Sequence, residues 1–404
     1  MKKVLFVINT LGQAGAEKAL IEFIKKIYKP EYEISLYVLM GQGELADKFP
    51  SYVRILNRSL SCLSVLTKQG RRKMALKVFC AFWLHGGWWG KLYSIIRCFA
   101  DMVKEKRIQV SKLFWRVLSD GTERFETEFD LAVAWLEGGA AYYVADHVKA
   151  RQKAAFIHID YESAGYTRNM DRGCWEQYAR IFTVSEEVRG HFQAFYPEYA
   201  EKVSVFDNYI DQDTLRLRAT EPGGFSDDFD GIRLLTVGRL TYQKSYDIAI
   251  ETMRILKESG QKIRWYILGE GEQRRYLEKM IDASGLKEDF LLLGAVENPY
   301  PYYEQTDIYV HATRFEGKSI AIQEAQTLGC AIIASECSGN RELITDGKDG
   351  ILCKLTPQAV AHSIMRLLED EEERKRLGQT ARTRKTPQGQ EQLFKDLLDS
   401  DIEK

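Results

Sequence analysis

The sequence has almost no net charge, no paired cysteines and no long apolar run, and each absence closes off a class of protein. Lys and Arg number 57 against 58 Asp and Glu, for a formal net charge of −1, which argues against a nucleic-acid partner. The seven cysteines, Cys62, Cys80, Cys98, Cys174, Cys330, Cys337 and Cys353, are scattered and contain no Cys-x-x-Cys pair. That pattern fits the reduced thiols of a cytoplasm better than a disulfide framework or a zinc site. No run approaches the ~18 consecutive apolar residues that a membrane-spanning helix needs, and no tandem repeat of solenoid length is present. The opening Met1 to Ile8 is apolar after two lysines, but the run stops at Asn9 without a small-residue cleavage site. It reads as a first β-strand rather than a signal peptide.

What is present is ample material for two cores. A chain of 404 residues with 45% hydrophobic content exceeds what one core supports, so two domains of roughly 150 to 220 residues are expected. Strand-length apolar runs occur at Val4 to Ile8, Ile34 to Val38, Leu131 to Trp135, Lys153 to Ile159, Arg180 to Val184 and Val203 to Phe206. A second series lies at Arg233 to Val237, Ile263 to Leu268, Phe290 to Leu293, Ile308 to Val310, Ala331 to Ala334 and Ile351 to Cys353. Helical stretches alternate with these strands, which predicts an α/β fold with parallel sheets covered on both faces. The turn-rich, acidic stretch Glu221 to Asp228 marks the boundary. The expected division is a Rossmann-like domain over 1–217, a second over 218–385, and a C-terminal helix in 386–404 packing back on the first.

The most informative stretch is Glu316-Gly317-Lys318-Ser319-Ile320-Ala321-Ile322-Gln323-Glu324-Ala325. It sets two carboxylates across a loop-to-helix junction. After Ser319, helical spacing places Ile320, Ala321, Glu324, Ala325 and Leu328 on one face, with Gln323, Gln326 and Thr327 opposite. Glu324 is then the one charge on an apolar face. A buried carboxylate is costly unless it gains specific partners, and paired sugar hydroxyls are suitable donors. The same pattern also fits a Glu satisfied by a protein Arg or a backbone amide. The N–H groups around Lys318 and Ser319 lie at the helix N-terminus, where the macrodipole favours phosphate.

Further motifs fall in one order: a glycine loop over Gly12 to Glu17, Gly238-Arg239-Leu240 with Lys244, Leu268-Gly269-Glu270-Gly271, the Glu316/Glu324 pair, Gly339-Asn340-Arg341-Glu342, and Asp346-Gly347-Lys348-Asp349-Gly350. Together they resemble the family-4 type retaining glycosyltransferases of GT-B fold, strongly over 231–377 and partially over 1–30 and 150–215. The resemblance implies two Rossmann-like domains facing across a cleft, with the nucleotide sugar held mostly by the second. Arg239 and Lys244 would bind the diphosphate and stabilise its leaving charge. Without the resemblance they read equally well as a solvated pair. Glu324 would accept from the ribose hydroxyls, while Glu316 and the amides of Gly317, Lys318, Ser319 and Ile320 would hold the donor hexose. Gly238 belongs to the same loop, the backbone at Val296 would read the base, and Gly12, Gly15 and Ala16 would approach the phosphates from the first domain. His158, ending the run Phe156-Ile157-His158, would stand near the reacting sugar. A lone His in that position is otherwise a satisfied core residue.

The resemblance further implies a retaining, metal-independent hexosyl transfer from a UDP-linked sugar, in which the leaving phosphate oxygen helps deprotonate the incoming hydroxyl. No cofactor is then expected, the nucleotide sugar being a substrate, and the protein supplies orientation and positive charge. The Asp-x-Asp triplets at Asp211 to Asp213 and Asp228 to Asp230 follow no convincing strand and are not read as metal ligands. Departures from the pattern are Gln13-Ala14-Gly15 where many members have paired glycines, Ser245 rather than Gly after Lys244, and Ala331 where Pro is common.

The first half carries a clue to the acceptor. From Ser61 to Arg116 there are twelve Lys or Arg residues against Asp101 and Glu105, interleaved with Phe79, Phe82, Trp83, Trp88, Trp89, Tyr93, Phe114 and Trp115. Such a mixture suits an anionic membrane surface, with aromatics at headgroup depth, although the same aromatics would serve a domain core. The expected protein is thus cytoplasmic and peripheral on the inner face of the plasma membrane. It would add a hexose to a lipid-linked or nascent polysaccharide acceptor, as in capsule or exopolysaccharide synthesis. Two other readings remain: a soluble glycosyltransferase or sugar-nucleotide epimerase of the same fold, and a non-catalytic sugar-binding partner.

Overall fold

The computed structural model describes residues 1–12, 15–63, 68–84, 87–106, 108–159, 161, 164–385 and 390–399. The chain forms two compact units, Met1–Tyr209 with Pro387–Lys404, and Ile210–Thr386. The division falls at Tyr209/Ile210 rather than at 217/218. Helix Gln212–Ala219 explains the difference, because it packs on helices Tyr300–Glu304 and Ile320–Leu328 of the second unit. Gln212 there donates to the Thr327 hydroxyl at 3.4 Å and to the Arg384 carbonyl at 3.2 Å.

The first unit is built on a seven-stranded sheet: β1 (Lys2–Ile8), β2 (Tyr32–Val38), β3 (Val53–Ile55), β4 (Phe129–Ala134), β5 (Ala150–Ile157), β6 (Arg180–Thr183) and β7 (Val203–Val205). All pairs are parallel, in the order β3-β2-β1-β4-β5-β6-β7. Val4 to Ile8 of central β1 are fully buried, as a strand covered on both faces requires. Only β3 was unforeseen. It is a three-residue edge strand with one buried side chain, too short to carry a period. Helix Glu391–Asp399 belongs to this unit: the Phe394 ring stacks on Phe6 at 5.9 Å and meets Phe23 edge-on at 5.1 Å.

The second unit carries β8 (Ile232–Val237), β9 (Ile263–Leu268), β10 (Phe290–Gly294), β11 (Ile308–His311), β12 (Ala331–Ser335) and β13 (Ile351–Cys353). They form a parallel sheet in the order β10-β9-β8-β11-β12-β13. In both sheets the strand order reverses at one place, between β1 and β4 and between β8 and β11. Loops leaving the carboxyl ends of such neighbours diverge to opposite faces and leave room for a ligand.

The basic stretch folds as helices Lys68–Trp83 and Trp88–Lys104, followed by short turns of helix over Val110–Phe114 and Trp115–Asp120. Its aromatics divide. Phe82, Phe114 and Trp115 pack partly buried against the core, whereas Phe79, Trp83, Trp89 and Tyr93 are exposed, Trp89 to 68%. Among the described residues no helix is long and apolar enough to cross a membrane. The Asp-x-Asp triplets have structural partners: Asp211 caps helix Gln212–Ala219 by accepting from the Thr214 N–H at 3.0 Å, and Asp230 pairs with Lys262.

Candidate functional site

The loop after β8 and the loop after β11 meet at the reversal point of the second sheet. Lys244 on the first pairs with Glu316 on the second, and both side chains are largely buried, 14% and 15% exposed. A third member, absent from the sequence reading, completes the cluster: His311, the last residue of β11, lies with Nε2 3.4 Å from the Glu316 carboxylate and 3.4 Å from the Lys244 ammonium. Its Nδ1 meets the Tyr309 hydroxyl at 3.1 Å. Burial alone would raise the Glu316 carboxyl, but the Lys244 charge and the His311 hydrogen bond outweigh it and bring the pKa to about 2. Burial, reinforced by the same ammonium, lowers His311 to about 4, so its ring is neutral at pH 7. The solvated reading of Lys244 is therefore corrected. Arg239 differs: it is exposed, and its side chain has no ion pair or hydrogen bond among the described residues.

The surrounding backbone is fixed by close packing. The Tyr246 hydroxyl donates to the Gly238 carbonyl at 2.8 Å. Gly339 lies against the Glu316-Gly317 loop so closely that a Cβ there would fall 2.1 Å from the Gly317 carbonyl oxygen. Ser319 caps helix Ile320–Leu328, its hydroxyl accepting from the Ile322 N–H at 3.4 Å. Beside it, Lys318 and Ile320 complete the junction.

Helix Ile320–Leu328 has no solvent face of the kind its spacing predicted. Gln323, Gln326 and Thr327 are buried and bonded to carbonyls: Gln323 to Ser319 at 3.3 Å, Gln326 to Leu343 at 2.6 Å and Thr327 to Gln323 at 2.8 Å. Helix Gln212–Ala219 covers what would otherwise be the polar side. Glu324 is 6% exposed and takes hydroxyl hydrogen bonds from Tyr300 at 3.2 Å and Tyr303 at 3.1 Å. Phenol donors from a neighbouring helix thus serve it. Val296 lies half-buried against the same apolar cluster as Tyr300.

In the first unit, Gly12 follows β1, while Gly15 and Ala16 open helix Gly15–Ile27. Gln13 and Ala14 of this loop lie outside the described residues. The Ala16 carbonyl accepts from the Trp135 indole at 2.8 Å, and that indole lies 5.3 Å from the His158 ring. The structure so joins the glycine loop to His158. Burial lowers His158 to about 4, partly opposed by the Trp135 carbonyl, and its Nε2 is buried with no hydrogen-bond partner among the described residues. Among the described residues, no group of three or more His, Cys, Asp or Glu is placed to hold a metal ion.

Residues 227–384 match the family model described as "Glycosyl transferases group 1". The chain is 30% identical over 200 residues to the N-acetylgalactosamine-N,N'-diacetylbacillosaminyl-diphospho-undecaprenol 4-alpha-N-acetylgalactosaminyltransferase of Campylobacter jejuni, covering 49% of this chain and 53% of the relative. The match thus spans about half of that relative's length. It is 23% identical over 95% of its length, and 94% of the relative's, to a second Campylobacter jejuni protein, the GalNAc-alpha-(1->4)-GalNAc-alpha-(1->3)-diNAcBac-PP-undecaprenol alpha-1,4-N-acetyl-D-galactosaminyltransferase. Among solved structures, Anabaena HepE in complex with UDP-glucose aligns with a TM-score of 0.66 at 16% identity, covering 95% of this chain and 94% of that one. Residues 227–384, most of the second unit, thus match the glycosyl transferases group 1 model, and the chain as a whole has the two-domain GT-B fold.

Proposed function

We propose that this protein is a retaining, metal-independent glycosyltransferase that moves a hexose from a UDP-sugar to a lipid-linked or nascent polysaccharide acceptor at the cytoplasmic face of a membrane. The observation that carries the reading is the buried Lys244–Glu316–His311 cluster at the reversal point of the second sheet. A fixed ammonium at a helix N-terminus is what a departing diphosphate requires, and it can act without a metal ion. Exposed Arg239 adds a second cation. Neutral His311 and Tyr309 hold the Glu316 carboxylate in place, where it accepts from hydroxyls of the donor sugar. Glu324 does the same for the ribose, exchanging its tyrosine donors for those of the ligand. HepE was solved with UDP-glucose, and the two Campylobacter jejuni relatives are named for undecaprenol-linked acceptors. Both facts support the choice of donor and acceptor class.

The membrane part of the proposal rests on helix Trp88–Lys104. Trp89, Leu92, Tyr93, Ile96, Phe99 and Val103 form a solvent-exposed stripe at helical spacing, on a stretch rich in Lys and Arg. An apolar face flanked by cations is the signature of a helix lying in an anionic interface.

The donor site is tested by thermal unfolding with UDP, GDP, ADP and CMP. Ligand at 100 times its dissociation constant stabilises by ~2.7 kcal/mol. A shift with UDP that is lost in Glu324→Ala supports the reading, and no shift with any nucleotide overturns it. Vesicle flotation tests the membrane face: the triple change of Arg71, Arg72 and Lys73 to Glu is expected to release the chain from anionic vesicles, and unchanged flotation refutes that part.

A further inference from the structure

The first unit contains a cavity of about 410 Å³ that the reading so far does not use. It lies between the N-terminal end of helix Trp88–Lys104 and the short helix Trp115–Asp120, and Gly87, Gly90, Lys91, Arg116, Asp120 and Arg124 are among its lining residues. Its volume is in the range of small-ligand sites, ~300–1,000 Å³. The cavity extends away from the carboxyl ends of the strands. A Cβ on Gly139, at the start of helix Gly139–His147, would fall 2.6 Å from the Trp115 ring, whereas Asp120 bonds His147, at the far end of that helix, at 2.9 Å. The two helices therefore run side by side toward the amino ends of the strands. At 1.5 Å per residue, helix Gly139–His147 carries Asp120 about 12 Å from the reversal point of the sheet.

Three of the lining residues are cations and one is a carboxylate, Asp120, already engaged with His147. The cations are not equivalent. Lys91 closes the end of helix Lys68–Trp83, its ammonium donating to the Ala81, Phe82 and Leu84 carbonyls at 2.9, 3.3 and 2.8 Å. It contributes charge, with its N–H groups already spent. Arg116 stands over the Tyr142 ring at 4.9 Å, donates from Nη2 to the Arg172 carbonyl at 2.9 Å and has the Asp146 carboxylate at 3.7 Å. Its Nε is buried with no partner among the described residues. Arg124 is exposed and has no ion pair or hydrogen bond among the described residues. Unspent guanidinium donors suit oxyanions, phosphate above all. Gly is a poor helix former, yet Gly90 stands in the first turn of helix Trp88–Lys104 where a Cβ would meet nothing within 4 Å. What the bare position provides is room beside the cations.

The rim indicates the occupant. Trp88 and Trp89 stack at 3.9 Å beside Gly87 and Gly90, Trp83 lies 6.2 Å from Trp88, and all three are exposed. From them the apolar stripe runs along helix Trp88–Lys104. Indoles so placed belong at headgroup depth. We propose that this cavity takes the phosphate of an anionic phospholipid, Arg116 and Arg124 donating to its oxygens while the acyl chains follow the stripe. The inference rests on the reading of this helix as an interfacial element, and it adds one defined headgroup site where charge attraction alone is diffuse.

The test titrates the full chain by calorimetry with dihexanoyl phosphatidylglycerol below its micelle concentration, with dihexanoyl phosphatidylcholine and inorganic phosphate as comparison probes. Dihexanoyl phosphatidylglycerol is expected to bind saturably, and roughly tenfold more weakly to Arg124→Gln. Gly90→Asp places a carboxylate at the cavity in a first helical turn, where acid is well tolerated, and should weaken binding as much. Arg97→Gln removes an equal charge from an exposed position outside the cavity and should leave binding unchanged. Binding that does not saturate, that falls equally in Arg97→Gln, or that phosphatidylcholine matches overturns the proposal. Inorganic phosphate bound as tightly as the lipid, with the same loss in Arg124→Gln, overturns the lipid assignment in favour of a free-phosphate site. Flotation on vesicles of equal parts phosphatidylglycerol and phosphatidylcholine separates this inference from the membrane reading. A parent chain that stays off the vesicles but binds the short-chain lipid through Arg124 sinks the interfacial reading and leaves the site standing. A parent chain that floats yet shows no saturable binding sinks the site and leaves the interface.

Discussion

Replacing Glu316 with Gln removes one charge from the buried trio and leaves the Lys244 ammonium facing His311 alone. The carboxyl titrates at about 2 in the folded chain against an ordinary value of 4.5. At about 1.4 kcal/mol per unit, the folded state gains roughly 3 kcal/mol from the ionised group at neutral pH. The unfolded chain takes up its proton near pH 4.5, whereas the folded chain holds it off until about 2. The gain is therefore complete above pH 4.5 and is lost as pH falls through that window. His311 adds a slope of the same direction at higher pH: it stays neutral when folded down to about 4 but protonates near 6.5 when unfolded, so acid favours the unfolded state between those values. Urea unfolding should find Glu316→Gln about 3 kcal/mol less stable than the parent at pH 7, a fall of roughly 6–12 °C in Tm for a unit of this size. The gap should close between pH 4.5 and 2. Equal stability at pH 7, or a gap that stays constant down to pH 2, would show that Glu316 is not held by Lys244 and His311.

Tyr300→Phe and Tyr303→Phe each remove a hydroxyl donor from the buried Glu324 carboxylate, and each should cost about 1.5–3 kcal/mol in denaturant unfolding. The double variant should cost more than either single one, and a silent double variant would show that these hydroxyls do not satisfy Glu324. Ser245 occupies a left-handed conformation, φ 50°, at the position where glycine is usual in the resembled family. Calorimetry should find Ser245→Gly within about 1 kcal/mol of the parent, since relief of strain and added chain entropy nearly cancel. Ser245→Val should lower Tm by more than 5 °C, because a β-branched side chain tolerates positive φ worst. Transfer should persist in EDTA, and an absolute requirement for Mg²⁺ or Mn²⁺ would refute the metal-free account.

The loops that meet at the reversal point of the second sheet were legible because each is a local device. A strand, a tight glycine turn and a helix cap are written in consecutive residues, so Gly238, Lys244, Glu316 and Ser319 could be named from the chain alone. His311 was not legible, since a single His ending a buried strand looks like any core residue until the fold sets it beside Lys244, 67 positions away. The partners of Glu324 escaped for the same reason: Tyr300 and Tyr303 lie on another helix, 24 and 21 residues upstream. The spacing of helix Ile320–Leu328 misled because periodicity assumes one solvated face, and here helix Gln212–Ala219 covers it.

By itself the sequence determined the alternation of strands and helices, twelve of the thirteen described strands and the order of the loops between them. These follow from short-range hydrophobic pattern and turn chemistry, which act within a few residues. Only the tertiary structure decided that helix Gln212–Ala219 joins the second unit, which aromatics of the basic stretch face solvent, and that the Glu137 carboxylate accepts from the His158 N–H. Those outcomes depend on the order in which parallel strands assemble, because it brings together the ends of strands far apart in the chain, and no local pattern records that order.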